Sequence, residues 1–263
     1  MVRSVAVVGA SGRLGRLATR LIEEADDLAV HAQLGSRDPI DAIAGADAVL
    51  DVTLPQVSPG IVDAALERGI PVVVGTSGWT ADRLATLAKK LEARPELGVI
   101  VAPNFSLGSV LATALATLAA PHFDSIEIVE AHHGGKSDSP SGTAIRTAEA
   151  IAEARGEVGP VAAPHHDQRA RGQLVGSVPV HSLRMAGVLA EQTVVFGGTG
   201  ETVRITHQTV SDASYEAGIL LALRALPDLR GLTVGLGPLL GLPTPSGARA
   251  TPSEDPTPAT DPS

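Results

Sequence analysis

The segment from Ser4 to Ile22 constrains this chain more than any other. An apolar run, Ser4–Val8, passes directly into V-V-G-A-S-G-R-L-G, and a helical pattern follows at Leu14, Leu17, Ala18, Leu21 and Ile22. Apolar spacings of three and four mark a helix, so the opening unit is strand, glycine turn, helix. Further buried-strand candidates are Leu28–Leu34, Ala48–Val52, Pro71–Gly75 and Gly98–Ala102, with helical patterns at Ser58–Arg68 and Thr80–Arg94. Near-continuous apolar strands alternating with helices predict an α/β fold, a parallel sheet covered on both faces.

After Asn104 the rhythm changes. A helix at Ser109–Ala120 leads to a strand at Ser125–Ala131, and a second helix is expected over Thr143–Arg155. Gly156–Gly176 is polar and reads as a long loop, a length that is often functional. Strand patterns then follow closely at Val180–Met185, Glu191–Phe196 and Thr202–Gln208, without helices between them. That spacing predicts an antiparallel or mixed sheet. A helix at Tyr215–Leu226 and a strand at Leu232–Leu236 complete the ordered pattern. Residues 241–263 carry six prolines with Thr, Ser and acidic groups, and predict a disordered tail.

Aromatic residues are only 2% of the chain while hydrophobic ones are 44%, so the core must be built from Val, Leu, Ile and Ala. A formal charge of −9 argues against nucleic acid as a partner, since phosphate backbones need a basic face. An anionic substrate would need a local positive island. The absence of cysteine removes disulfides and thiolate metal sites, and fits a reducing compartment, here expected to be the cytoplasm. Met1–Gly12 has no apolar region long enough for a secretory signal. Leu97–Pro121 has no charged residue, but Pro103, Asn104 and Gly108 interrupt it, so no membrane span is expected.

Gly9, Gly12 and Gly15 form G-x-x-G-x-x-G at the first strand–helix junction, a variant of the dinucleotide fingerprint. The turn Gly9, Ala10, Ser11, Gly12, Arg13, Leu14 would let the backbone approach a pyrophosphate beneath a helix N-terminus. The second strand ends in Gln33-Leu34-Gly35-Ser36-Arg37, with no carboxylate before Asp38. Gly35 and Ser36 leave room for a 2′-phosphate, and Arg37 and Arg13 could pair with it, which favours NADPH over NADH. Gly75-Thr76-Ser77 and Ala102-Pro103-Asn104-Phe105 follow later strands and are further cofactor-contact candidates.

The densest chemistry lies in Glu130–Thr143, reading E-A-H-H-G-G-K-S-D-S-P-S-G-T. Imidazoles of His132 and His133 can carry protons near neutrality, and Lys136 is a compact cation. Ser141-Gly142-Thr143 predicts a helix N-terminus with free N–H groups for an anion. Adjacent histidines in an extended chain point apart, so no metal site is expected. Proton donor, cation and anion cradle suggest a site for a small carboxylate that is protonated during reaction.

These motifs together resemble the 4-hydroxy-tetrahydrodipicolinate reductase (dihydrodipicolinate reductase) family. The resemblance runs through V-G-A-S-G-R-L-G, V-G-T-S-G, A-P-N-F-S, the Glu130–Thr143 block, H-S-L-R-M-A-G, G-E-T-V-R-I-T-H and G-L-G-P-L-L. It implies a Rossmann-like domain, 1–104 plus 214–240, and an inserted α+β substrate and tetramerisation domain, 105–213. It implies a homotetramer, and NAD(P)H-dependent reduction of a cyclic imine dicarboxylate in lysine and diaminopimelate synthesis. His132 would be the proton donor or acceptor, and Lys136 a second donor and carboxylate partner. His133, Ser141, Gly142 and Thr143 would hold the substrate. The departures are Gly35, where the family usually has an acidic residue, and Gly134-Gly135, where bulkier residues are common. Two other readings fit the fold: a homoserine- or aspartate-dehydrogenase-like enzyme, which lacks the His-His–Lys–Ser-Gly-Thr block, and a non-catalytic nucleotide sensor.

Overall fold

The computed structural model describes residues 2–242. The tail expectation falls on residues 241–263, all but the first two of which lie outside the described residues.

The first sheet has six parallel strands in the order β11-β5-β4-β3-β1-β2. They are β1 (Arg3–Val8), β2 (Leu28–Leu34), β3 (Ala48–Asp51), β4 (Val72–Val74), β5 (Gly98–Val101) and β11 (Gly231–Val234). Helices α1 (Arg13–Glu24) and α6 (Glu216–Ala225) cover one face; α2 (Ser58–Glu67) and α3 (Ala81–Glu92) cover the other. The central strands are therefore apolar on both sides, and β3 and β4 have no exposed residue. This is the doubly wound arrangement expected from the alternating pattern, with ligand crevices at the strands' carboxyl ends.

Between β5 and α6 the chain builds a second sheet of five strands, order β10-β9-β6-β8-β7. Its members are β6 (Ser125–His132), β7 (Gln173–Val175), β8 (Val178–Arg184), β9 (Ala190–Gly198) and β10 (Glu201–Thr209). β6 pairs parallel with β8, and the other pairs are antiparallel, so the sheet is mixed. Helices α4 (Leu107–Ala119) and α5 (Gly142–Ala154) pack on one face through Ala116, Ala144, Ala148 and Ile151, against Ile126, Ile128, Val194 and Phe196. With so few aromatics, alanines set the close helix–sheet spacing, and Phe196 fills the remaining depth against Phe123 at 5.5 Å between rings.

The expected loop at 156–176 contains more structure than its sequence signals. A short 3-10 turn spans Arg169–Arg171, and β7 forms a hairpin with β8 around Gly176. Three residues in a polar context are too short to show the two-residue period of a strand. Serine and threonine caps start three helices: Thr80, Ser106 and Ser141 accept from the N–H groups of Arg83, Ser109 and Ala144.

The opening glycines are required by space. Gly9 has φ of +92°, and a β-carbon there would lie 2.6 Å from the Val52 carbonyl oxygen. A β-carbon on Gly15 would run into the Gly9 carbonyl. Gly15→Ala is therefore expected to cost about 1–3 kcal/mol, read from the urea unfolding midpoint. Gly60, inside α2 with nothing within 4 Å, is the contrast. Its change to Ala should stabilise by about 0.5–1 kcal/mol.

Candidate active site

Two residues apart on β6, Glu130 and His132 face the same side of the sheet, toward the helices. The Glu130 side chain has 0% of its surface exposed. A carboxylate that deeply buried needs compensation on every side. Arg184, in register beside His132 on β8, reaches both carboxylate oxygens at 2.9 Å. The Ser141 N–H donates to Oε1 at 3.2 Å, and His132 Nδ1 lies 2.6 Å from Oε2. Burial alone would raise the Glu130 pKa, but Arg184, Ser182 and His132 outweigh it and hold the carboxyl below its ordinary value.

That carboxylate fixes the histidine. An ionised carboxylate only accepts, so Nδ1 of His132 carries the hydrogen and Nε2 is left with the lone pair. Burial lowers the His132 pKa, Glu130 opposes the fall, and the nearby charges of Lys136 and Arg184 add to it. His132 is therefore neutral near pH 7, a base that becomes a strong donor once protonated.

A cavity of about 270 Å³ lies between the carboxyl ends of the first sheet and the second sheet. His132, Ser141, Thr143 and Gln192 line one side; Arg13, Leu14, Gly75 and Ala102–Phe105 line the other. Ser141 caps α5 with its hydroxyl, and Ser141 and Thr143 bring the start of that helix, with its unbonded first N–H groups, to the cavity wall. The walls thus offer a proton-carrying imidazole, hydroxyl and amide donors, and a glycine-rich backbone cradle. Among the described residues no three His, Cys, Asp or Glu side chains are grouped to hold a metal ion, and no helix is long and apolar enough to cross a membrane.

Residues 3–105 match the family model described as dihydrodipicolinate reductase, N-terminus, and residues 108–237 match the one described as its C-terminus. The chain belongs to the dihydrodipicolinate reductase family. A 4-hydroxy-tetrahydrodipicolinate reductase from Clavibacter michiganensis is 55% identical, covering 92% of this chain and 87% of the relative. One from Streptomyces avermitilis is 46% identical over 90% of this chain and 98% of its own length. Among solved structures, dipicolinate-bound dihydrodipicolinate reductase from Paenisporosarcina sp. TG-14 superposes with a TM-score of 0.77 at 29% identity, covering 90% and 98% of the two chains.

Not every expected site residue meets in the cavity. His133, the residue after β6, is exposed and does not line the cavity. Lys136 does not line the cavity, and its Nζ donates to Asp138 at 2.7 Å. Gly142 lies at the start of α5 between the two lining residues Ser141 and Thr143. In the glycine turn Gly9, Ala10, Ser11 and Gly12 form the approach from the sheet, with Ser11 and Gly12 exposed. Thr76 is buried and its hydroxyl accepts from the Thr53 N–H at 2.8 Å, while Ser77 is exposed. Ser36 and Arg37 are exposed at the far end of β2. Sequence reasoning gave no role to Arg184, Gln192 or His207, which come to this site only through sheet register.

The two shifted groups set a pH dependence. Glu130, with its folded pKa depressed, stabilises the fold above the ordinary carboxylate value, and this is lost as pH falls through the folded pKa. His132 is also depressed, so the unfolded chain takes up its proton first, and stability declines as pH drops below about 6.5. Glu130→Gln leaves the Arg184 charge unpaired and is expected to cost about 3 kcal/mol or more at pH 7. In urea unfolding curves the gap to wild type should close as pH falls through the depressed Glu130 pKa.

Proposed function

We propose that this chain catalyses NAD(P)H-dependent reduction of the cyclic imine dicarboxylate derived from 4-hydroxy-tetrahydrodipicolinate, giving tetrahydrodipicolinate for lysine and diaminopimelate synthesis. The observation that carries this reading is the meeting, in one cavity, of the Glu130-braced His132 with the start of α5 and the ends of the first sheet's strands. In this reading residues 1–104 and 214–240 bind the nucleotide, residues 105–213 hold the substrate, and the enzyme works in the cytoplasm.

The first sheet's end suits a dinucleotide. The cramped Gly9–Gly15 turn admits backbone where any side chain would intrude, and α1 begins at Arg13 directly behind it. Gly9, Ala10, Ser11, Gly12, Arg13 and Leu14 would hold the pyrophosphate, with Gly75, Thr76, Ser77 and Ala102–Phe105 along the nicotinamide half. When bound, a dihydronicotinamide supplies the hydride. The free N–H groups of Gly142 and Thr143, with the Thr143 hydroxyl and Ser141, grip one substrate carboxylate. Lys136 and His133, which do not line the cavity, would turn toward the other carboxylate as substrate binds. Reduction leaves an electron pair on the ring nitrogen that a proton must neutralise. His132, protonated at Nε2 and steadied by Glu130 at Nδ1, delivers it; Lys136 is the second donor and can restore the proton.

Consumption of NADH or NADPH should be seen when dihydrodipicolinate synthase supplies substrate from pyruvate and aspartate semialdehyde. No fall in nicotinamide absorbance with either cofactor would sink the proposal. His132→Gln should cut turnover by about 100-fold while dinucleotide binding is kept. The sensor reading expects binding without consumption in the unaltered chain.

We also infer a homotetramer joined through the second sheets. One face of that sheet is covered by α4 and α5, whereas the other carries Val129, Leu183 and Val195, with Leu183 47% exposed. Glu127, His181, Thr193 and Thr206 share that open face, and a mixed face of this kind suits burial against another copy through paired polar groups around apolar ones. Leu183→Lys is expected to shift the mass measured by light scattering from tetramer toward smaller species, and an unchanged tetramer would place the interface elsewhere.

A further inference from the structure

The end of β2 is where doubly wound folds read the ribose nearest the adenine, using a carboxylate when that ribose carries two free hydroxyls. By sequence the position belongs to Gly35, which has no side chain. The structure brings a carboxylate there by another route. The chain turns after Gly35 so that the Gly35 N–H donates to Asp38 Oδ2 at 2.7 Å, and the Asp38 N–H returns to the Gly35 carbonyl at 3.4 Å. A β-carbon built on Gly35 would lie 3.5 Å from Asp38 Oδ2 and 3.7 Å from the Ser11 hydroxyl. The Asp38 carboxylate therefore stands at the end of β2, in contact distance of where a side chain at position 35 would begin and on the same side as the Ser11 hydroxyl.

Gly35 is not glycine for its backbone. Its φ is outside the left-handed range adopted by other glycines of the chain, such as Gly9 and Gly45. Its N–H is what holds Asp38 in place. One carboxylate oxygen is tied to the turn, and the other retains its lone pairs for a ligand.

Of the two arginines expected to meet a 2′-phosphate, one is engaged elsewhere and one is not. Arg13 pairs with Asp212 at 3.5 Å, toward the second sheet. Arg37 is exposed and has no ion pair among the described residues.

We propose that Asp38, held by the Gly35 N–H beside Ser11, reads the adenosine ribose and makes this chain prefer NADH to NADPH. This rests on the nucleotide reading above and reverses the NADPH preference expected from sequence. The 2′- and 3′-hydroxyls donate to the free Asp38 oxygen in charge-assisted bonds. A 2′-phosphate would bring like charge against the same carboxylate.

The test is calorimetric titration of NADH and NADPH into the full chain without substrate, for wild type, Asp38→Asn and Arg37→Ala. Asparagine keeps an oxygen for the Gly35 N–H and removes the charge, so the turn survives and the thermal midpoint should hold. Wild type is expected to bind NADH about tenfold or more tighter than NADPH, and Asp38→Asn to bring that ratio down by about tenfold. Arg37→Ala should leave the ratio within about twofold, which keeps the inference testable if Asp38→Asn folds poorly. Tighter NADPH binding by wild type overturns it. So does an Asp38→Asn variant that shifts both cofactors equally, the mark of a turn residue alone. Selective loss of NADPH in Arg37→Ala would return the site to a phosphate reader. Binding of neither dinucleotide overturns the nucleotide reading as well.

Discussion

A single buried carboxylate organises the chemistry of this protein. Glu130 has no exposed surface, yet it is ionised, and four groups from three separate stretches of chain satisfy it: Arg184, Ser182, the Ser141 N–H and His132. The same contacts fix the register of β6 on β8, the starting point of α5 and the tautomer of the imidazole. Charge burial in a small domain is costly when partners are missing. The site's geometry and the local fold are thus held by one set of bonds, and neither can drift without the other.

Much of the architecture was legible because the first sheet is buried on both faces. The strand expected at Gly98–Ala102 is β5, found at Gly98–Val101, since a continuous apolar run buried on both faces leaves little choice. The helix ends around α5 were legible from Ser141, whose hydroxyl competes well only at a cap. The motif Glu130–Thr143 announced its chemistry by residue type. What stayed hidden depends on pairing over long distances. Arg184 meets Glu130 across 54 residues, and only the β6–β8 register brings it there. Glu130 itself could be seen in the motif, but nothing local says it is the buried member.

The distal end of β2 shows a different failure of sequence reading. Counting along the strand finds glycine where a carboxylate is usual, and the count is right. It is the loop geometry that brings Asp38 back to the strand's end, through one bond to its carboxylate and one to its backbone N–H. A position in a sequence and a place in a structure are separate things wherever a side chain is absent and a neighbour can fold back.

The chain leaves the first sheet after β5 and re-enters it through α6 and β11, and β11 lies directly beside β5. Everything from α4 to β10 therefore hangs from two neighbouring points on one edge. Strand order and register of the first sheet owe nothing to what is inserted there. In evolutionary terms this is a cassette with a fixed socket: one nucleotide-handling frame can accept a different head, and so a different substrate, by exchange at two adjoining seams.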